Sequence, residues 1–211
     1  MEKLTVKVEK LTIEVASDVI CPWCYIGKKR LEKATASLGG FDFEIRWLPF
    51  QLNPDMPKEG MPRAEYRKAK FGSAERAKSL DARVIAEGKG EGIDFAFDRI
   101  ERTPNTSAAH QLIDIAQRQG VGNPVVDALF RAYFEEARDI GDPEVLKAIA
   151  ESCGVRDWPQ AADAATVASL EEDVRSLGIQ AVPTFIFARK LGVSGAYPPE
   201  QLAQAMRDSL K

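Results

Sequence analysis

Two cysteines, Cys21 and Cys24, stand two residues apart in the run SDVICPWCY, between a strand-like segment and a helix-like one. At this spacing two sulfur atoms can close a disulfide within one helical turn. The attacking species in thiol–disulfide exchange is a thiolate, and the positive end of a helix dipole stabilises an anion. We therefore predict that Cys21 attacks a substrate sulfur and that Cys24, one turn further into the helix, resolves the mixed disulfide.

The two intervening residues, Pro22 and Trp23, are expected to tune the redox poise because they surround the Cys21 sulfur. A C-x-x-C pair can also be half of a zinc site, or an inert surface pair. Zinc would have to recruit Cys153 and the single histidine, His110, which have no ligand-like spacing. We therefore expect no metal.

The surrounding pattern predicts a β–helix–β unit. Residues 11–16 and 41–48 alternate apolar and polar side chains, as strands do. Between them, Pro22 suits the first position of a helix because its missing N–H costs nothing there, and Cys21 is then the N-cap. Such a unit normally places its two strands parallel.

The middle of the chain has helical periodicity, and strands return near its end. We predict helices over residues 62–88 with a break at 71–73, and over 106–120, 123–137, 142–154, 166–177 and 199–210. Asn105 or Thr106, Asn123 and Asp142 are the predicted N-caps. Residues 182–187 and 190–195 are predicted to form a hairpin.

This order predicts an α/β domain with an inserted all-helical domain, because structureless connections of this length are uncommon. The predicted α/β domain is discontinuous, over residues 1–55 and 166–211, and the insertion covers residues 56–165.

Composition narrows the classes of function. Of 211 residues, 45% are hydrophobic and 29% charged, which is typical of a globular protein. A net charge of -3 argues against nucleic acid and anionic membranes as partners. Charges interrupt the first ten residues and no apolar run reaches membrane-spanning length, so we expect a cytoplasmic protein. Three cysteines are too few for a disulfide-built secreted scaffold.

Residues 17–28 (SDVICPWCYIGK) resemble the start of DsbA-like thioredoxin-fold oxidoreductases of the FrnE type. The resemblance continues through residues 52–54, 105–106, 109–110, 129–134, 178–185 (GIQAVPTF) and 193–195, and so covers nearly the whole chain. It implies a thioredoxin fold with a helical insertion. It also implies a cis Val182–Pro183 bond against the dithiol, with Val182 pairing with an extended substrate segment and Pro183 shaping the site.

Relatives in this superfamily include glutathione-using 2-hydroxychromene-2-carboxylate isomerases and kappa-class glutathione transferases, which typically carry serine at the position of Cys21. The presence of both cysteines favours redox chemistry on protein or small-molecule thiols and disulfides. No cofactor is then required, and glutathione is a candidate co-substrate. A glutathione-dependent isomerase or transferase acting on a small electrophile remains an alternative, as does a thioredoxin-fold binding protein or chaperone. The insertion could also support a homodimer, although no pattern requires one.

Other polar residues have both a functional and a structural interpretation. Asp18 either assists proton transfer or only orders its loop. His110 and Asn105 either contribute to substrate binding or are a helix histidine and a cap. Cys153 is predicted to pack as a small hydrophobic residue. The basic run 28–30 is predicted to be a solvated helix face.

Overall fold

The computed structural model describes residues 9–211 and contains both the strands and the helices predicted from the sequence. In chain order the elements are β1 (Glu9–Ser17), α1 (Pro22–Ala36), β2 (Phe41–Pro49), β3 (Met61–Pro62), α2 (Arg63–Phe71), α3 (Ala74–Gly90), β4 (Arg102–Thr103), α4 (Ser107–Arg118), α5 (Gly122–Phe134), α6 (Pro143–Ser152), α7 (Ala164–Ser176), β5 (Thr184–Phe187), β6 (Leu191–Ser194) and α8 (Pro199–Asp208). The first eight residues of the predicted α/β domain lie outside the described residues.

The main sheet has the strand order β2-β1-β5-β6. The β1 and β2 strands are parallel, with Ile13 opposite Ile45, which confirms the predicted β–helix–β unit. On the other side β1 pairs antiparallel with β5, and β5 forms the predicted hairpin with β6. Alternate β1 side chains, at Leu11, Ile13 and Val15, are fully buried, so the central strand anchors the core. The turn after β1 carries the dithiol.

The segment between β2 and β5 is helical apart from the two-residue antiparallel pair of β3 and β4. A pair this short leaves no alternation for sequence analysis to detect. The predicted helix start at Asn123 was wrong: α5 begins at Gly122, and the Asn123 side chain instead accepts a hydrogen bond from Trp47 Nε1 at 2.7 Å. No helix within residues 9–211 combines the length and apolar character needed to cross a bilayer.

Aromatic packing joins the insertion to α1. The Tyr25 ring stacks on Phe130 and Phe134 of α5, with centroids 5.0 and 6.1 Å apart, and meets Phe95 edge-on. These rings belong to one cluster of buried residues that runs from the sheet into the helices. The two predicted domains therefore share a hydrophobic core, and their exact boundaries stay predictions.

Ion pairs along α1 reinforce this docking. Lys28 is only 4% exposed and contacts Asp127 of α5 at 2.8 Å, and Lys29 reaches the same carboxylate at 3.0 Å. Arg30 and Glu91 are 2.7 Å apart. The prediction of a solvated basic face at residues 28–30 was therefore wrong, because α5 and the end of α3 cover this face with carboxylates that lie far away in sequence.

Candidate active site

A tight turn after β1 places the two cysteines at the start of α1. The backbone N–H of Cys21 donates to the carbonyl of Asp18 at 3.0 Å, which closes the turn. Cys21 is extended (φ -91°, ψ 112°) at the N-cap position and Pro22 opens the helix, as predicted. Cys24 N–H then donates to Cys21 O at 3.0 Å, so both sulfur-bearing residues lie within the first turn.

The two thiols are free and have different surroundings. Cys21 is 5% exposed, and its Sγ points at the carbonyl of Val182, 3.7 Å away. Cys24 is 1% exposed, and burial raises its pKa well above the ordinary value; its hydrogen bond with Cys21 and the charge of that sulfur act in the same direction. A backbone hydrogen bond from Asp18 opposes this rise without cancelling it. Cys24 is therefore held as a neutral thiol.

The proline loop before β5 lies against the first cysteine. The Val182–Pro183 peptide bond is cis, as the resemblance implied. Gly27 of α1 makes this close approach geometrically feasible: a Cβ there would lie 2.9 Å from Pro183 Cγ and 3.1 Å from Phe185 Cζ. Sequence analysis did not single out Gly27, although a glycine inside a helical pattern is a signal of close packing.

Asp18 and His110 meet beside Cys24. Asp18 is completely buried; its Oδ2 accepts from the backbone N–H of Leu52 at 2.7 Å, and its Oδ1 lies 3.6 Å from His110 Nε2. That Oδ1, His110 Nε2 and the Ser17 hydroxyl are buried without a regular hydrogen-bond partner among residues 9–211. Ser17 and His110 also line a small cavity of about 20 Å³. Partnerless polar atoms are costly to bury, so their clustering here calls for a functional explanation.

A larger cavity, of about 290 Å³, opens beside Cys21, and we call it the Cys21 cavity. Its lining residues are Ile20, Cys21, Pro22, Trp23, Leu52, Arg63, Tyr66, Arg67, Lys70, Phe71, Leu80, Asp81, Arg83, Val84, Phe97, Thr103, Tyr133 and Phe134. The walls are mostly apolar and aromatic, with four basic side chains and one carboxylate. Sequence analysis missed the basic residues because α2 and α3 reach the dithiol only through the tertiary fold.

The predicted site residues are brought together in part. Cys21, Pro22 and Trp23 line the cavity, whereas Asn105 and His110 do not. The Asn105 side chain donates to Met56 O at 2.7 Å and accepts from Ser107 N at 2.9 Å. Both of its polar groups are thus engaged in holding loops, and a part in substrate binding stays a prediction.

A sulfur pair at a helix start, with a cis-proline loop facing the first sulfur, defines the dithiol class of thioredoxin-fold proteins. The family model described as "DSBA-like thioredoxin domain" matches residues 12–207. The chain therefore belongs to the DsbA-like thioredoxin domain family.

Similar proteins support this assignment across the whole length. A Bacillus subtilis (strain 168) protein, YwbO, is 27% identical over 206 residues, covering 94% of this chain and 97% of its own. The Streptomyces coelicolor protein SCO1869, described as a "probable DsbA oxidoreductase", is 31% identical, with a TM-score of 0.86 over 95% of this chain and 90% of its own. The Pseudomonas aeruginosa cytosolic disulfide reductase DsbM, solved with GSH, shares the fold at 20% identity, with a TM-score of 0.64 over 94% and 95% of the two chains.

Proposed function

We propose that this protein is a thiol–disulfide oxidoreductase in which Cys21 forms the mixed disulfide and Cys24 resolves it. The observation that carries the proposal is the asymmetry of the pair. Cys21 borders a cavity and faces the Val182 carbonyl, whereas Cys24 is sealed in and its pKa is raised by burial. A sulfur held as a thiol beneath an accessible one suits the second step of exchange rather than the first.

The exchange proceeds in two displacement steps. The Cys21 thiolate attacks a substrate disulfide, forming a Cys21–substrate S–S bond while the second substrate sulfur leaves as a thiolate. Cys24 then loses its proton and attacks Cys21, which releases the first substrate sulfur. The protein gains a Cys21–Cys24 disulfide, and the substrate disulfide is reduced to two thiols. The reverse sequence oxidises a dithiol substrate.

Asp18 and His110 are proposed to accept the Cys24 proton. Burial disfavours the Cys24 thiolate, so resolution needs a base close by. The buried Oδ1 of Asp18 and Nε2 of His110 have no regular partner among the described residues and lie 3.6 Å apart next to this sulfur. A proton taken up there remains in the buried pair until the cycle reverses.

The resemblance and the named relatives suggest the substrates. Val182 and Pro183 are proposed to hold an extended substrate segment beside Cys21, since the Val182 carbonyl already lies 3.7 Å from its sulfur. Protein disulfides and small thiols such as glutathione are the proposed partners, in the cytoplasm. The similarity to DsbM, a cytosolic disulfide reductase solved with GSH, supports both proposals.

Trapping tests the assignment of the two cysteines. In a Cys153→Ser background, Cys24→Ser protein is mixed with insulin or with glutathione disulfide, and the adducts are mapped by mass spectrometry. We expect a stable mixed disulfide on Cys21, because the resolving sulfur is missing. The matched Cys21→Ser protein should form none at Cys24, which is buried and held as a thiol.

Each contrary result identifies another function. Equal trapping on Cys24 would reverse the assignment of attacking and resolving sulfurs. Glutathione-dependent activity on an electrophile that survives Cys24→Ser would indicate an isomerase or transferase. Full function in both single variants would indicate a binding protein or chaperone.

A further inference from the structure

Arg63, the first residue of α2, is a buried cation in the wall of the Cys21 cavity. It is only 9% exposed. Its Nη1 reaches the Tyr133 hydroxyl at 3.4 Å, and its guanidinium lies 5.2 Å from the centre of the Phe97 ring. No carboxylate of residues 9–211 comes within 4.0 Å of it, although Arg67 nearby is paired with Asp81 at 2.7 Å. An arginine keeps its charge, so burial without an anion is costly.

Two further cations at this cavity are also left without a carboxylate within 4.0 Å in the described part of the chain. Lys70 contacts only neutral oxygens, the Tyr66 hydroxyl at 2.6 Å and the Asn53 side-chain oxygen at 3.0 Å. Arg83 lies 5.9 Å from the centre of the Trp23 ring. With one carboxylate, Asp81, against four basic side chains, the lining has an excess of positive charge.

The rest of the lining is apolar. Phe71, Phe97 and Phe134 contribute rings, and Leu80 and Val84 contribute aliphatic side chains. A volume of about 290 Å³ exceeds the cavity of about 150 Å³ known to hold benzene. The site thus has room for a group of aromatic size next to an uncompensated positive charge. Cys21 borders the same space.

We propose that the Cys21 cavity binds the apolar, negatively charged part of a small aromatic disulfide or thiol, with Arg63 binding its carboxylate. This inference rests on the proposed function, because it delivers the ligand sulfur to Cys21. The chemistry is the exchange described above: the Cys21 thiolate displaces one aromatic thiolate, Cys24 displaces the second, and the dithiol is oxidised as the disulfide is reduced. Peptide disulfides without such a group gain nothing from Arg63.

A sulfur-free probe tests the binding site separately from the redox chemistry. Naphthoate, an aromatic carboxylate, is titrated into the reduced protein by calorimetry, with naphthalenemethanol as the uncharged comparison. We expect naphthoate to bind, and Arg63→Met to weaken its binding roughly tenfold, the size expected for a charged hydrogen bond. Arg63→Lys should retain part of the affinity. The matched control Arg76→Met removes a charge from α3 outside the cavity lining and should bind as the parent does.

A pair of aromatic disulfides then tests delivery to the sulfur. Reduced Cys153→Ser protein is mixed rapidly with dithiobis(nitrobenzoate), which is anionic, and with dithiodipyridine, which is neutral, and the ratio of the two rate constants is measured. Arg63→Met should lower this ratio about tenfold, and Arg76→Met should not. Because each variant serves as its own reference, a general loss of reactivity does not imitate the effect.

The outcomes separate this inference from the function on which it rests. No naphthoate binding, or the same ratio in Arg63→Met and Arg76→Met, would overturn the anion site while leaving the dithiol chemistry intact. Failure of Cys21 to react with either disulfide would instead refute the proposed function. Equal binding of naphthoate and the alcohol would show that the cavity recognises apolar groups alone, which also contradicts the role of Arg63.

Discussion

The middle of α1 and the cavity beside its first turn both carry clustered basic side chains, but the chain neutralises them differently. Along α1, Lys28 and Lys29 share the Asp127 carboxylate, and Arg30 is paired with Glu91. At the cavity, Arg63 is as well buried as many core residues and yet has no carboxylate within 4.0 Å in residues 9–211. One set of charges is complete within the fold, and the other is not.

This difference separates a structural role from a binding role. Paired charges fix the insertion to α1, and their partners are already in place when the protein is folded. A buried charge without a partner contributes nothing of that kind and costs desolvation energy. Its retention beside a reactive sulfur is explained if a ligand supplies the missing anion. Substitutions in the two regions, and in the packing between them, test this contrast.

The largest effect is expected from Gly27→Ala, which lies on α1 between the two regions. The new Cβ would sit 2.9 Å from Pro183 Cγ, and a proline ring is too rigid to yield. Overpacking should lower the free energy of unfolding by about 3 kcal/mol. Displacement of the loop facing Cys21 should slow insulin reduction about tenfold or more.

Gly39→Ala is the matched control for this change. A Cβ at Gly39 meets no atom within 4 Å, so stability and insulin reduction should remain those of the parent. Equal behaviour of the two alanine variants would contradict the close contact between α1 and the proline loop.

Asp127→Asn and Arg63→Met compare the two charge clusters directly in urea unfolding. Loss of the Asp127 charge leaves Lys28, which is 4% exposed, with the Glu32 carboxylate as its remaining close partner. We expect a loss of about 2 kcal/mol, below the cost for a completely buried pair because Asp127 is partly exposed. Arg63→Met should stay within about 0.5 kcal/mol of the parent or exceed it, because no internal pair is broken. A larger loss for Arg63→Met would make Arg63 a structural residue.

The pH dependence of stability sharpens the same comparison. Burial alone would raise the pKa of Asp127, but hydrogen bonds and charges from Lys28 and Lys29 outweigh it and hold the pKa below the ordinary value of 3.8. The unfolded chain therefore takes up this proton first as the pH falls. The stabilisation is complete above the unfolded pKa and is lost as the pH falls through the folded one.

The amide side chain of the Asp127→Asn variant has no such proton to bind. The stability advantage of the parent over this variant should thus shrink by about 1 kcal/mol between roughly pH 5 and pH 3, measured in urea at both values. An advantage that stays constant over this interval would show that the Asp127 charge does not stabilise the fold.

The smallest effect is expected from Tyr133→Phe. The Tyr133 hydroxyl accepts from the Arg63 guanidinium at 3.4 Å, and this distance indicates a weak hydrogen bond. Its loss should weaken naphthoate binding by about two- to threefold, measured by calorimetry. The control, Tyr197→Phe, changes an exposed tyrosine outside the cavity and should have no effect. A tenfold loss for Tyr133→Phe would move the anion contact from Arg63 to Tyr133.

Local sequence signals predicted the parts of the site that are local in the chain. Strand alternation and Pro22 at the helix start placed Cys21 and Cys24 correctly, and the V-P-T-F resemblance placed the cis-proline loop. Such signals depend on neighbouring residues, so a pattern within about ten residues is enough to read them.

Features that depend on distant residues were missed or misread. The basic run of α1 has the pattern of a solvated face, and only the tertiary fold brings Asp127 and Glu91 onto it. Arg63 likewise lies 42 positions from Cys21 in the sequence and meets it across a cavity. The cap predicted at Asn123 failed because Trp47 Nε1 takes up its side-chain oxygen.

The most direct test of the central claim is equilibration of the protein in glutathione redox buffers of increasing oxidising strength, followed by acid quenching, alkylation and peptide mapping. We expect one reversible disulfide, between Cys21 and Cys24, with Cys153 remaining alkylated throughout. Absence of that bridge over the whole range, or a bridge to Cys153 in its place, would contradict a C-P-W-C redox centre.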